Sequence, residues 1–88
     1  MFKLIYTKSF EKDIKTATKR GKDLGKLKKV IELLATKNPL PIKYKDYRLI
    51  GNFVGRRECH IELNWLLIYK VNEDSIIFER TGTHSDLF

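Results

Sequence analysis

The hydrophobic and polar positions change period once along the chain, from helical spacing in the first half to strand-like spacing in the second. A β-branched and aromatic run from Phe2 to Tyr6 predicts a first strand. Apolar side chains then recur at helical spacing in two segments, which begin near the capping residues Thr7 or Ser9 and near Asp23. The second segment has the clearest amphipathic pattern, with an apolar side formed by Leu24, Leu27, Val30, Ile31 and Leu34.

The second half of the chain shows the spacing of an antiparallel meander. Residues 56–61 alternate, residues 65–71 are almost wholly apolar, and residues 75–81 form a third run after a short polar turn. A run that is apolar on both faces belongs in the centre of a sheet. The sequence therefore predicts an α+β domain in which an N-terminal strand and a two-helix hairpin precede a mostly antiparallel sheet packed on the helices.

The two predicted helices leave the other face of this sheet open. Alternation along the first strand of the meander places Glu58 and His60 on one side and Cys59 on the other. Arg80 and His84 stand at the end of the last predicted strand. We predict that these four polar side chains converge on the open face, and that Cys59 is a buried, inert thiol.

The basic composition narrows the choice of partner. The 88 residues suit a single domain with one core. Lys and Arg number 18 against 11 Asp and Glu, which gives a net charge of +7 and a pI of about 9.6. Such a charge attracts polyanions, so nucleic acid, a ribosome or an acidic protein are the natural partners. A basic domain without a polyanion partner fits the charge alone nearly as well.

The sequence also indicates the cellular compartment of the protein. Its apolar runs are all shorter than a membrane span, and its first residues lack the apolar region and cleavage site of a signal peptide. We therefore expect a cytoplasmic protein without membrane contact. The single cysteine excludes an internal disulfide and a cysteine-based zinc site.

Groups suited to RNA chemistry are concentrated in two stretches. Residues 80–88 bring together an arginine that suits phosphate, a histidine that exchanges protons near neutral pH, and Phe88, whose ring can stack on a nucleobase. Residues 42–55 interleave tyrosines and glycines with cations such as Lys45 and Arg48, and Arg56 follows them. The second stretch is typical of a phosphate-and-base surface and equally of an ordinary loop over the core edge.

Four segments closely resemble the YafQ branch of the RelE-type bacterial toxins. They are Tyr44-Lys45-Asp46 with Leu49-x-Gly51, Arg57-Glu58-Cys59-His60-Ile61, Trp65-Leu66-Leu67-Ile68-Tyr69, and Phe78-Glu79-Arg80-Thr81-Gly82-Thr83-His84-Ser85-x-Leu87-Phe88. The resemblance covers nearly the whole chain, so residues 1–88 are expected to form a single RelE-like toxin domain. It implies a type II toxin that cleaves mRNA in the ribosomal A site and is neutralised by an antitoxin encoded beside it. It implies no metal or organic cofactor, and contact with operator DNA only through the antitoxin complex.

Carried over position by position, the resemblance implies an active site. His60 and His84 stand at active-site histidine positions of the family. Arg80 matches its active-site arginine and Glu58 an acidic position. Phe88 matches a functional terminal phenylalanine, which makes it an RNA-binding candidate beside the cations at 45, 48 and 56.

Two positions depart from the family pattern. Tyr47 stands where a histidine usually follows Tyr-Lys-Asp, and Asn64 stands where an aspartate usually precedes the tryptophan. Both belong to the implied catalytic set. A general acid or base contributes roughly 100-fold to 10,000-fold to a rate, so we expect slower cleavage rather than none.

Metal-free cleavage of RNA needs a base, a cation and an acid, because the RNA supplies its own 2′-hydroxyl nucleophile. We expect His84 to be the acid and Arg80 to hold the phosphate. His60 is then the base, or it orients the base. Glu58 is expected to hold the His60 imidazole or to pair with a basic neighbour. Tyr47 either acts as a base with its pKa lowered by nearby cations, or simply hydrogen-bonds or stacks.

A binding function without catalysis is the competing interpretation. Glu58 and Arg80 can form a cross-strand ion pair, and Phe88 can dock the tail as an apolar plug. The chain would then act by occupancy, as the ParE-like gyrase inhibitors of the same fold do, or as an antitoxin-bound repressor subunit. Retention of both histidines and the arginine favours cleavage, whereas the replaced histidine at Tyr47 favours binding. An antitoxin is expected to cover the basic helices or the open face with an acidic segment.

Overall fold

The computed structural model describes residues 2–37, 39–49 and 55–88. Its elements in chain order are β1 (Lys3–Tyr6), α1 (Lys8–Lys19), α2 (Leu24–Ala35), a 3₁₀ turn (Ile42–Tyr44), β2 (Tyr47–Arg48), β3 (Arg57–Glu62), β4 (Trp65–Val71), β5 (Ser75–Gly82) and α3 (His84–Leu87). Asn38 of the predicted helix stop and residues 50–54 of the basic aromatic stretch lie outside the described residues. Each helix in the described part of the chain is too short or too polar to span a membrane.

The described strands form one sheet in the order β1-β5-β4-β3-β2. β1 runs parallel to β5, and every other neighbouring pair is antiparallel. This arrangement confirms the predicted α+β fold of a strand, a helical hairpin and a mostly antiparallel sheet. β2 and α3 were not predicted, because a two-residue strand and a four-residue helix are too short to show a period.

Side-chain caps set the starts of both long helices. The Thr7 hydroxyl accepts a hydrogen bond from the Phe10 backbone N–H at 3.0 Å, so Thr7 rather than Ser9 begins α1. The Asp23 carboxylate accepts from the Gly25 N–H at 2.9 Å and begins α2. Gly21 adopts a φ of 75° just after α1, a left-handed conformation that suits glycine and turns the chain into the second helix.

The main core lies between the helices and one face of the sheet. Val30 of α2 and Phe78 of β5 are completely buried, and Phe10 of α1 packs beside Phe78 with ring centroids 5.8 Å apart. Cys59 is also completely buried in this core, and burial raises the pKa of its thiol far above the ordinary value. The predicted buried, inert cysteine is therefore confirmed. The same cluster contains Leu27, Leu34, Trp65, Leu67, Tyr69 and Ile76.

The opposite face, which we call the open face, is covered at its centre by α3. Leu87 of this helix packs on Leu66 and Ile68 of β4, with Leu49 at the margin. Leu66 and Ile68 are completely buried, although they face away from the main core. This small apolar cluster holds the C-terminal helix over the sheet and so places His84 above β3.

A β-bulge in β5 sets the direction of Arg80. Ile68 pairs with Arg80 whereas Tyr69 pairs with Phe78, so Glu79 is the extra residue. Simple alternation from the buried Phe78 would turn Arg80 toward the helices. Because the bulge shifts the register by one residue, Arg80 belongs to the open face and Thr81 to the helix side.

Candidate active site on the open face

The strand register places the predicted polar residues on one face. Tyr47 pairs with Glu58, Glu58 with Ile68, and Ile68 with Arg80, which makes one row across four strands. His60 lies in the neighbouring row, opposite Leu66. The register thus puts Glu58, His60 and Arg80 on the open side of their strands, and α3 adds His84 from above, but the guanidinium of Arg80 is held by Asp13 of α1.

Three rings stand in series at the centre of the site. The rings of Tyr47 and His60 meet edge to face with centroids 6.2 Å apart. The rings of His60 and His84 lie 5.8 Å apart at an angle of 44°. Two imidazoles at this separation can contact opposite sides of one phosphodiester group, which is the arrangement that acid and base catalysis at phosphorus needs.

Asn64 fixes the tautomer of His84. Its side-chain oxygen lies 3.1 Å from the backbone nitrogen of His84 and 2.7 Å from Nδ1 of the ring. A backbone N–H can only donate, so the amide atom that it meets must be the carbonyl oxygen. The same oxygen must then accept from Nδ1–H. Nε2 is thus the nitrogen of His84 that exchanges a proton with a substrate.

His60 is held differently. Its Nδ1 atom is buried, and within the described chain it has no hydrogen-bond partner. The expectation that Glu58 holds this imidazole is therefore wrong for Nδ1, and Nε2 is the nitrogen that can reach a substrate. His60 is oriented by its place in β3 and by its ring neighbours.

Arg80 is bound by an acidic residue of α1. Its Nε and Nη2 atoms donate to Asp13 at 2.7 and 3.1 Å, and Asp13 also accepts from the Thr81 backbone N–H at 3.0 Å. The hydrogen bonds to this carboxylate raise the pKa of Arg80. The predicted cross-strand pair with Glu58 is wrong, since Asp13 is the partner of Arg80. The remaining N–H groups of the guanidinium fork are the ones that can meet a phosphate.

The four predicted RNA-binding residues occupy different surroundings. Lys45, at a φ of 46°, lines a cavity of about 210 Å³ next to His60. Phe88 is 61% exposed at the end of α3. Arg56 forms an ion pair with Glu79. Arg48 pairs with Arg57, which places it on the opposite face of β2 from Tyr47.

Sequence reasoning missed three residues that bind parts of this site, namely Asp13, Asp86 and Arg20. Asp13 belongs to none of the four segments that carry the family resemblance, and Asp86 is the unmatched position of the C-terminal motif. In the structure, Asp86 closes a capping box with Thr83 and forms an ion pair with Arg20. The spacing Thr83-x-x-Asp86 is the sequence signal that would have indicated the box. Within the described residues, no cluster of three or more metal-ligating side chains occurs.

Fold and site together define a small basic α+β domain that presents two facing histidines beside its C-terminal helix. The chain belongs to the YafQ family of bacterial toxins of type II toxin-antitoxin systems, whose family model matches residues 2–88.

Individual relatives agree with this assignment. The mRNA interferase toxin YafQ of Escherichia coli strain K12 is 48% identical over 84 residues, which are 94% of this chain and 91% of that protein. The crystal structure of YafQ from E. coli strain BL21(DE3) matches with a TM-score of 0.95 and 44% identity over 100% of this chain and 99% of that one. YafQ in the E. coli DinJ-YafQ complex matches with a TM-score of 0.93 and 45% identity, again over 100% and 99%.

Proposed function

We propose that this chain is an mRNA endoribonuclease and the toxin of a type II toxin-antitoxin system. The observation that carries the proposal is the pair of histidine rings 5.8 Å apart on the open face, of which His84 has its tautomer set by Asn64. An occupancy inhibitor has no need of paired proton-transfer groups. The family membership and the mRNA interferase relative of E. coli support the same activity.

The proposed reaction is an internal transesterification. His60 removes the proton from a ribose 2′-hydroxyl, the 2′ oxygen bonds to the adjacent phosphorus, and the bond from phosphorus to the 5′ oxygen breaks. His84, which enters the reaction as the imidazolium with protons on both ring nitrogens, donates its Nε2 proton to that leaving oxygen and keeps the Nδ1 proton bound to Asn64. The products are a 2′,3′-cyclic phosphate and a free 5′-hydroxyl, so atoms and protons balance without a metal or an organic cofactor.

The remaining site residues support this chemistry. Arg80 stabilises the charge that develops on the phosphoryl oxygens, through the part of its guanidinium that Asp13 does not occupy. Tyr47 supports the His60 ring by its edge contact and occupies the place of a second proton-transfer group. Asn64 orients His84 but carries no charge to stabilise an imidazolium. We assign Lys45, which lines a cavity with His60, and the exposed ring of Phe88 to holding the phosphate and a base of the RNA.

We assign less direct roles in the reaction to Glu58, Arg56 and Arg48. Glu58 shares the row of Tyr47 and Arg80, where it can set the local charge. Arg56 is engaged by Glu79, and Arg48 lies on the other face, so we assign both to general attraction of RNA rather than to contact at the cleaved bond.

The proposed partners are mRNA on the ribosome and a cognate antitoxin. The E. coli relative forms a complex with DinJ, which supports an antitoxin for this chain. The net charge of +7 suits both an RNA target and an acidic antitoxin segment laid on the basic helices or the open face. Operator DNA would be reached only through the antitoxin complex, and the expected cytoplasmic location stays a prediction.

The test is primer extension on a defined mRNA, with and without translating ribosomes, for the wild type and His84→Ala. We expect ribosome-dependent cuts at fixed codon positions that fall by about 100-fold to 10,000-fold in the variant. Ser85→Ala, the neighbouring exposed position, is the matched control and should cut normally. A folded, antitoxin-free wild type that makes no cuts in either condition would contradict the proposal and favour inhibition by occupancy.

A further inference from the structure

The helix that carries His84 is too short to hold its own position. α3 spans four residues at the end of the chain, and a single helical turn gains little from its own hydrogen bonds. Leu87 anchors the end of this turn in the apolar cluster of the open face. The start of the turn, where His84 stands, is exposed and needs polar contacts to fix it.

Asp86 supplies such contacts in two directions. Its carboxylate accepts from the Thr83 backbone N–H at 2.9 Å, while the Thr83 hydroxyl accepts from the Asp86 N–H at 3.2 Å. The same carboxylate binds the guanidinium of Arg20 through two parallel bonds, Nη1 to Oδ2 at 2.6 Å and Nη2 to Oδ1 at 3.2 Å. The C-terminal turn is thereby joined to the end of α1.

Gly82 makes the close approach of this carboxylate possible. A Cβ atom at position 82 would lie 2.9 Å from Oδ2 and 3.0 Å from Cβ of Asp86. Any side chain there would push Asp86 away from the backbone that it caps. The absence of a side chain at Gly82 and the ion pair with Arg20 thus both help to hold the Asp86 carboxylate in place.

The gap between α1 and the C-terminal turn is not closed by packing. A cavity of about 260 Å³ lies there, with Arg20, Trp65 and Asp86 among its lining residues. A two-pronged ion pair fixes distance and orientation across such a gap better than a single point charge does. On the other side, Asn64 holds His84 by its backbone and its ring.

We propose that Arg20 is a positioning residue for His84, acting through Asp86 from the end of α1. The inference rests on the proposed ribonuclease function. Arg20 touches neither imidazole, and it sets where the His84 ring meets the substrate by fixing the turn in front of that ring. Nothing in this role requires the pair to stabilise the fold, since ion pairs this exposed contribute little to stability.

The kinetic test compares kcat and KM of ribosome-dependent cleavage for Arg20→Ala, Asp86→Asn, Arg20→Lys and the wild type. A 1 Å misplacement can cost about 100-fold, so we expect kcat to fall by about tenfold in the first two variants, with little change in KM. Arg20→Lys keeps the charge but loses the fork, so it should recover only part of the loss. The double variant should be no slower than either single variant, because both remove the same pair.

Charge provides the internal control. Arg20→Ala removes a positive charge and Asp86→Asn removes a negative one, so the net charge falls in the first variant and rises in the second. An effect on RNA attraction alone would therefore move the two variants in opposite directions. Lys19→Ala removes the same charge from the same end of α1 and should keep the wild-type kcat. Opposite changes of kcat in Arg20→Ala and Asp86→Asn would overturn the positioning role. An Arg20→Lys variant as fast as the wild type would overturn it too.

A second readout does not depend on cleavage. Nitrogen-15 spectra of the imidazoles should show the Nδ1–H of His84 hydrogen-bonded to Asn64 in the wild type and in Lys19→Ala. In Arg20→Ala and Asp86→Asn the same signals should shift or broaden, while circular dichroism and the melting temperature stay unchanged. His84 signals that remain identical in all four proteins would refute the inference even if the wild type cleaves RNA. Shifted signals would support it even if cleavage itself failed.

Discussion

The two faces of the sheet are built by different forces. On the helix side, Val30, Leu67 and Phe78 are completely buried, and apolar packing determines the structure. The open face has one small apolar cluster beneath α3 and the Arg56–Glu79 ion pair. The helix side also carries a polar network at its margin, in which Asp46 binds Arg57 and the Tyr69 hydroxyl. We expect apolar packing to govern the stability of the first face and polar contacts to govern the placement of the candidate site on the second.

The largest expected effect is on the helix side. Phe78→Ala should lower the free energy of unfolding by about 3–5 kcal/mol, because it removes a completely buried ring from a packed core. Denaturant unfolding measures the change. Phe88→Ala is the matched control: this ring is 61% exposed, so the stability should change by less than about 1 kcal/mol. Equal losses in the two variants would break the distinction between the faces.

The apolar cluster of the open face should give the next largest effect. Leu87→Ala should lower stability by about 2 kcal/mol, at the low end of the range for buried leucines, because a terminal turn can relax around the cavity. It should also lower cleavage, since α3 carries His84. Leu63→Ala, at a leucine that is 83% exposed, should leave the unfolding midpoint where it is. A Leu87 variant with normal activity would show that α3 needs no apolar anchor.

Restoring a carboxylate beside His84 should change the cleavage rate less than Leu87→Ala does, and should raise it rather than lower it. In Asn64→Asp, a carboxylate would accept from Nδ1–H and stabilise the imidazolium that donates the proton. A charged partner strengthens a hydrogen bond by about 1 kcal/mol, so cleavage should rise about fivefold. Asn72→Asp adds the same charge at the β4–β5 turn and should leave the cleavage rate unchanged. A slower Asn64→Asp enzyme would mean that the neutral amide is the better partner.

The smallest effect should come from an ion pair of the open face. Glu79→Gln removes the charged partner of Arg56 but keeps the shape of the side chain. Partly exposed pairs of this kind contribute at most about 1 kcal/mol, so thermal unfolding should barely change. A loss as large as that of Leu87→Ala would show that polar contacts stabilise this face more than packing does.

Local periodicity predicted much of the helix side. The spacing of Leu27, Val30 and Leu34 predicted one apolar side of α2, and these three residues are buried. A side chain in a helix or strand takes its direction from its own position in the repeat, so the helices, the long strands and the buried Cys59 followed from the sequence. The family resemblance, rather than periodicity, supplied the candidate site positions, and their roles stay predictions.

Local periodicity did not predict the ion pairs that join α1 to the C-terminal segment. Asp13 and Arg80 stand 67 positions apart, and Arg20 and Asp86 stand 66 apart. Local periodicity carries no information about contacts between such distant elements. The bulge at Glu79 adds a second obstacle, because it inverts the faces of Arg80 and Thr81 without a glycine or proline to mark it.

The parallel pairing of β1 with β5 has a consequence for synthesis of the chain. Residues 3–6 lie beside residues 75–78, so the first strand finds its neighbour when nearly the whole chain has been made. Contacts this distant in sequence form late, because a long loop must close first. A nascent chain that stops before β5 lacks both the central partner of β1 and the bulge that turns Arg80 toward the site. A chain still in synthesis therefore lacks the candidate site until β5 and α3 have been made.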